Sequence, residues 1–538
     1  MAKPLQTSTI SAPGFLGVNT QESSVDLSSG YALEAYNCVI DKFGRIGARR
    51  GWSKQNSSLN TDLSTNDVEF LFELPETATV LAGGNNKLFS FASGTITTEV
   101  DTTVVDSAGT GTTAYTITAN DWSASSIVYG EGPDISPHAY VCQAGHLPLV
   151  YHKVGSGHAH TGSYGFQLLT DVGTAPTTYA APGDFKPNFV LGAYGRTWWA
   201  DIVNDEQTVY FSALLDGTDL STGDSGYLSL VDVFPNGDQV VGLAAHNGFL
   251  IIFGKRNIAV YANPIDVTRL ELVDLIANVG CIARDSIVNT GTDVMFLSDT
   301  GVRSIARVIQ EKSAPINDIS FNVRDDLVGF VNSETNKQKI KAAYFPRDAF
   351  YILTLPSSNY VYCFDLRAPL QNGGRRVTIW DSIDPKSLCV TYAGDLLLGK
   401  EGYIGKYFGF LDDTETYRLR YYTNYFDLGS PTSLKFLKKT SFVVIGGVGQ
   451  DVALKYGFDY LESFRSITKT LAEGANIAEY NIAEYGIDEY TSGLRLEEVR
   501  ANLGGSGSII QLGFEADINQ NPLSIQKIDV YVKSGKVV

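Results

Sequence analysis

The chain has 538 residues, 43% of them apolar, and a net charge of −18. That length fits two to four domains or one large β domain with a real core. The acidity argues against adhesive binding to a phosphate backbone, although solubility alone explains it equally well.

Gly (53), Tyr (29) and Phe (27) are plentiful, and Thr, Val and Ser run throughout. This mixture favours strands and tight turns over helices. Cys38, Cys142, Cys281, Cys363 and Cys389 lie far apart without a C-x-x-C pair, which reads as buried, unpaired thiols in a reducing compartment. The N-terminus has no signal-peptide core, and no apolar run of about 18 residues occurs, so stable membrane insertion is not expected.

In chain order, one pattern recurs: an alternating apolar strand, a Gly/Asn/Asp turn and a second strand. It appears at 79–96, 190–214, 242–263, 291–308, 343–366 and 390–410, and more weakly at 135–154. Turns such as GGNN, HNG and SDTG supply the positive φ that a hairpin needs. Starts spaced by roughly 45 to 55 residues are the rhythm of propeller blades, because stacked hairpins bury faces that a lone one cannot. The expected fold is mainly β: a β-propeller-like domain at 61–426, with a large irregular β sandwich as the alternative. The Thr/Ser-rich stretch 100–128 reads as an insertion or exposed β extension. DLGSPTSLK (427–435) marks a boundary, and 427–538 reads as a second β module. Any short helices are expected in LESFRSITKTLAEG or GLRLEEVRAN.

Within that module, NIAEYNIAEYGIDEY (476–490) repeats every five residues, a period that suits neither a strand nor a helix. Each step would seat an Ile and present a Glu–Tyr pair: Glu479 with Tyr480, Glu484 with Tyr485, Glu489 with Tyr490. Rigid tyrosines beside carboxylates make an interface candidate; an irregular loop packed on its own subunit is the alternative.

Catalytic signatures fail on inspection. GDSGY (223–227) approaches the chymotrypsin-type GDSGG, but AAHN (244–247) follows it where the histidine should precede it. GKEGYIGKY (399–407) has the wrong spacing for a phosphate loop and Tyr407 in place of the Mg²⁺-binding hydroxyl. His138, His146, His152, His158 and His160 cluster around Cys142. Of these, His138, Cys142, His146, His158 and His160 are weak metal-ligand candidates, without finger-like spacing or an orienting carboxylate. No enzymatic activity and no cofactor is expected.

Residues 12–54 carry the most specific pattern. A GVNTQ element (17–21) is followed by Asn37, Asp41, Gly44, Ile46, Arg49, Gly51 and Trp52 in the spacing N-x-x-x-[DE]-x-x-G-x-[IL]-x-x-R-x-G-[WF]. With GRTWWAD…TVYFSALLDG (195–217), SLKFLKKTSFVVIGG (433–447) and KIDVYVKSGK (527–536), this resembles the tail nozzle proteins of short-tailed bacteriophages, the tail tubular protein B family. The pieces cover about a quarter of the chain, in family order. Tandem A-E-[YW]-G units like the 476–490 repeat belong to the same likeness.

The resemblance implies a homohexameric tube at the end of a virion tail, made in the host cytoplasm and docked on an adaptor ring similar to tail tubular protein A. Tail fibre proteins are further implied partners, and double-stranded DNA would pass without sequence readout. An acidic lumen would repel the phosphates of that DNA. Under this reading residues 1–60 form an arm that completes the C-terminal β module as a platform and contributes to docking, with Arg45, Arg49, Arg50 and Trp52 as interface candidates; a plain first strand and hairpin is the alternative. The competing function is a phage-borne propeller that binds a receptor or glycan, with Trp198 and Trp199 as a platform of which strand alternation leaves one in the core. A polysaccharide hydrolase would need two carboxylates at fixed separation, and no such pair stands out.

Overall fold

The computed structural model describes residues 5–24, 26–129, 135–154, 162–306, 318–430, 432–461, 463–472 and 496–537. Apolar alternation and turn chemistry generate antiparallel meanders. Thr79–Gly84 turns into Lys87–Ala92 through Asn85 and Asn86, both at positive φ. Val240–His246 turns into Phe249–Gly254 through Asn247 and Gly248 in the same way. Asn and Gly enter this region at least cost, and the resulting twist suits a two-residue hairpin.

The meanders form a β-propeller. Six free-standing sheets act as blades: 70–100, 103–168, 187–229, 240–277, 288–304, and 387–407 completed by Trp52–Lys54. Between the fifth and sixth, the meander 341–380 fills a sector and runs on into a ten-stranded sheet. The innermost strands of successive sectors adjoin in cyclic order, and that of the last blade returns to Phe70–Leu74. Closure therefore depends on a strand from near the N-terminus, with Trp52 paired to Tyr407 and Lys54 to Gly405.

The platform is a second body woven from both chain ends. The ten-stranded sheet continues from Arg376–Trp380 through Gly17–Val18, Tyr31–Tyr36, Tyr417–Thr423, Ile510–Ile518 and Asp451–Phe458 to Arg465–Thr470. A seven-stranded sheet orders Leu496–Asn502, Ser433–Gly446, Leu523–Val537, Ile46–Ala48 and Cys38–Ile40, with Gln6–Ser11 along Leu523–Val537. Phe442, Val444 and Ile528 of this sheet share a core with Tyr421, Leu454 and Phe514 of the other, and Phe442 and Phe514 lie 5.6 Å apart.

Several expectations are corrected. Arg465–Thr470 and Leu496–Asn502 are strands, not helices; paired with long neighbours, their charged residues sit on open edges. The one helix longer than a turn among the described residues is Arg324–Ser333. Tyr417–Thr423, within the stretch read as propeller, belongs to the platform sheet. The 100–128 stretch is only partly an extension: Thr103–Val105 and Thr112–Ala114 widen the second blade, while Ser123–Tyr129 is that blade's innermost strand. Trp198 and Trp199 do point to opposite faces, yet both are fully buried. A blade strand has a neighbouring blade on either side, so both faces are core.

Gly51 shows how tightly the closure is packed. A Cβ there would fall on the Leu411 carbonyl, and Gly51 N–H donates to Gly409 O at 3.0 Å. Gly51→Ala must displace backbone, so it is expected to cost about 1–3 kcal/mol, read as a lower thermal midpoint.

Candidate functional site

A cavity of about 360 Å³ lies on the propeller axis, lined by innermost-strand residues such as Leu71, Ala124, Val190, Ala244, Ala342 and Leu388. A smaller one of about 200 Å³ shares Glu69 and Lys341 with it and adds Asp67, Asp121, Lys339 and Lys386. The charged groups are largely engaged with one another. Arg284, almost wholly buried, donates to Asn188 O at 2.7 Å, Asn188 Oδ1 at 2.8 Å, Asp121 O and Trp122 O at 3.2 Å, and Asp285 Oδ1 at 2.9 Å. Lys341 pairs with the same carboxylate. The cluster therefore pins four sectors together at the axis, a structural use of charge that only works with partners present.

Burial opposes ionisation of Asp285, but the Arg284 guanidinium and Lys341 ammonium outweigh it and hold the carboxyl at about 2. A depressed carboxylate contributes stability that is complete above its unfolded value near 4 and is lost as pH falls through about 2. Its side chain is one-fifth exposed, so solvent trims the contribution to about 1–2 kcal/mol. The denaturation midpoint is expected to fall between pH 4 and pH 2, with that part of the fall missing in Asp285→Asn.

The four N-terminal candidates have different fates. Arg49 is wholly buried: Nη1 and Nη2 reach Asp412 at 2.8 and 2.6 Å, Nη2 also reaches Ser382 Oγ at 2.6 Å, and Nε reaches Asn37 Oδ1 at 3.2 Å. Its guanidinium stacks 4.0 Å from the Tyr417 ring. Arg49 is thus an internal tie, unavailable to another subunit's carboxylate. Arg45 is buried against Asp41 in the hairpin turn. Trp52 lies in the closing strand, half-buried beneath the Lys400 ammonium at 4.8 Å.

Arg50 is half-buried and belongs to a basic patch around Asp348, together with Lys42, Arg347 and Arg367. Burial pushes the Asp348 carboxyl upward despite these four cations. Phe43, 44% exposed at the tip of the same turn, lies beneath Lys42 at 5.2 Å and Arg45 at 4.5 Å. Arg45 pairs with Asp41 and Arg367 with Asp365.

The histidines do not converge. His138 and His152 are buried in the second blade with ring centroids 5.0 Å apart, and His152 Nε2 meets Gln167 Oε1 at 2.7 Å. His146 sits elsewhere, against Tyr115 and Trp122. Cys142 is buried and its thiol pushed up by desolvation. No cluster suited to a metal ion occurs among the described residues; His158 and His160 lie outside them, as do all six repeat candidates between Glu479 and Tyr490. Ser225 Oγ donates to the Thr222 carbonyl at 2.7 Å, in a polar turn. Lys400 and Tyr403 occupy the hairpin turn between Leu396–Gly399 and Ile404–Tyr407. The signal missed in the sequence is the Arg284–Asp285 pair, ordinary in composition and meaningful only because the ring places it on the axis.

No family model and no curated relative matches the chain. Among solved structures it is similar to the Neurospora crassa Pan2 WD40 domain, at 10% identity over 67% of this chain and 96% of that one, with a TM-score of 0.36. It is also similar to the WD40 β-propeller domain of Doa1, at 8% identity over 66% and 96%, TM-score 0.36. A third likeness is an auxiliary nutrient binding protein of Bacteroides thetaiotaomicron, at 9% identity over 75% and 76%, TM-score 0.30. The fold stands on the strand order itself: the chain is a β-propeller with a platform module woven from both of its ends.

Proposed function

We propose that this chain is a non-catalytic structural subunit of a phage tail nozzle, assembling into a ring that conducts DNA between its copies. The observation that supports this most is the weave of the platform. Strands from 6–48 and 433–537 interleave in two sheets, one continuous with a propeller sector. A ring subunit needs such a rigid body, because slack between its parts would defeat a closing heterologous contact. The axial cavity is too small for a duplex and is crossed by its own ion pairs, so the channel of this reading lies between subunits. The implied partners remain an adaptor ring, tail fibre proteins and passing double-stranded DNA, and the implied place is the virion tail.

A second reading, a propeller that binds a receptor or glycan, draws on the axial cavities, whose mixed-charge mouth holds Asp67, Glu69, Lys339 and Lys386. Light-scattering mass of the purified full chain separates the two. A closed oligomer supports the nozzle, whereas a monomer whose thermal midpoint rises with host envelope glycans supports the binder.

A further inference from the structure

We infer that the basic turn at 41–45 is the docking surface for the acidic tyrosine repeat, residues 476–490, of a neighbouring copy. The inference rests on the assembly reading above and names the contact that would build the ring.

The first support is charge. Between Glu473 and Tyr490 the sequence holds Glu473, Glu479, Glu484, Asp488 and Glu489 and no cation. The turn offers the opposite: exposed Lys42 over the exposed Phe43 ring, with Arg50, Arg347 and Arg367 sharing Asp348 with Lys42. Glu–Tyr pairs suit such a surface, the carboxylates meeting ammonium and guanidinium groups and the phenol rings packing on Phe43. The rest of this acidic protein would repel the same segment.

The second support is placement. Both ends of the repeat-bearing segment are held at one edge of the seven-stranded sheet, where Leu496 pairs with Ile445 and Ala472 N–H donates to Glu497 Oε2 at 3.0 Å. The basic turn joins Cys38–Ile40 to Ile46–Ala48 at the other edge. Four strand spacings, about 19 Å, separate the two. Complementary surfaces at opposite edges of one rigid sheet are what a head-to-tail contact requires: each copy gives its repeat to one neighbour and receives another's.

The test uses the full chain, prepared unlabelled and ¹⁵N-labelled, mixed, and treated with a carbodiimide that joins touching ammonium and carboxylate groups. Mixed-label peptides linking Lys42 to Glu479, Glu484 or Glu489 are expected. Same-label links only, or none, would overturn the inference. A second arm reverses charge on Lys42 and Arg347 (both →Glu), or on Glu479, Glu484 and Glu489 (all →Lys). Each set alone is expected to weaken self-association about tenfold, and the two sets together to restore it; unchanged self-association in both sets counts against the contact. Circular dichroism identifies any set that fails to fold, in which case the carbodiimide arm decides. Rings that form equally well in every variant would remove this contact and leave the nozzle reading standing. Copies linked through Lys42 that never enter a tail particle would do the reverse.

Discussion

Arg49→Ala is expected to destabilise the protein by about 3–5 kcal/mol, the cost of breaking a buried charge pair from one side. The variant leaves the Asp412 carboxylate, 11% exposed, without its two-pronged partner. It also strips donors from Ser382 and Asn37 and empties the face of Tyr417. Arg49→Lys keeps the charge but not the planar fork, so it is expected to recover only part of the loss. Urea midpoints of the three proteins decide the matter. An alanine variant as stable as the parent would mean that Arg49 faces outward, as an interface residue should.

Removal of residues 1–56 is expected to abolish the soluble fold. It takes Gln6–Ser11 from the side of Leu523–Val537, Gly17–Val18 and Tyr31–Tyr36 from the middle of the ten-stranded sheet, and Trp52–Lys54 from the last blade. Each loss bares backbone donors, acceptors and core side chains at once. Phe15, Ala32, Ala35 and Ile46, all fully buried, leave with the segment. Limited proteolysis and circular dichroism report the result. A truncated chain as soluble and protease-resistant as the parent would mean that these strands are dispensable to both bodies.

The propeller was legible because its signals are local. Two-residue periodicity and positive-φ turns lie within about twenty residues of each other, as at 79–96 and 242–263. The platform was legible only as alternation, since its order depends on partners hundreds of positions apart: Gln6 with Val532, Tyr36 with Arg420. Arg49 illustrates the limit. Its spacing in the 37–52 motif stood out, but its role is set by Asp412, 363 positions away, and no local pattern distinguishes an inward arginine from an outward one. Trp198 and Trp199 misled because alternation implies one dry face, whereas a blade has two. RSITKT and LEEVRAN read as helical because open edge strands tolerate charge, which blunts the two-residue signal.

The basic patch was half visible. Lys42, Arg45 and Arg50 are close in sequence, whereas Arg347, Asp348 and Arg367 arrive from the shared propeller sector only on folding. That convergence gathers cations from distant positions around one carboxylate on a chain of charge −18.

Whether the chain builds a ring is decided by its mass in solution, from multi-angle light scattering of the purified chain across a range of concentrations, at low and at high salt. A closed homo-oligomer is expected, six copies by the resemblance, that loosens as salt screens its charged contacts. A chain that stays monomeric at every concentration and salt would contradict it.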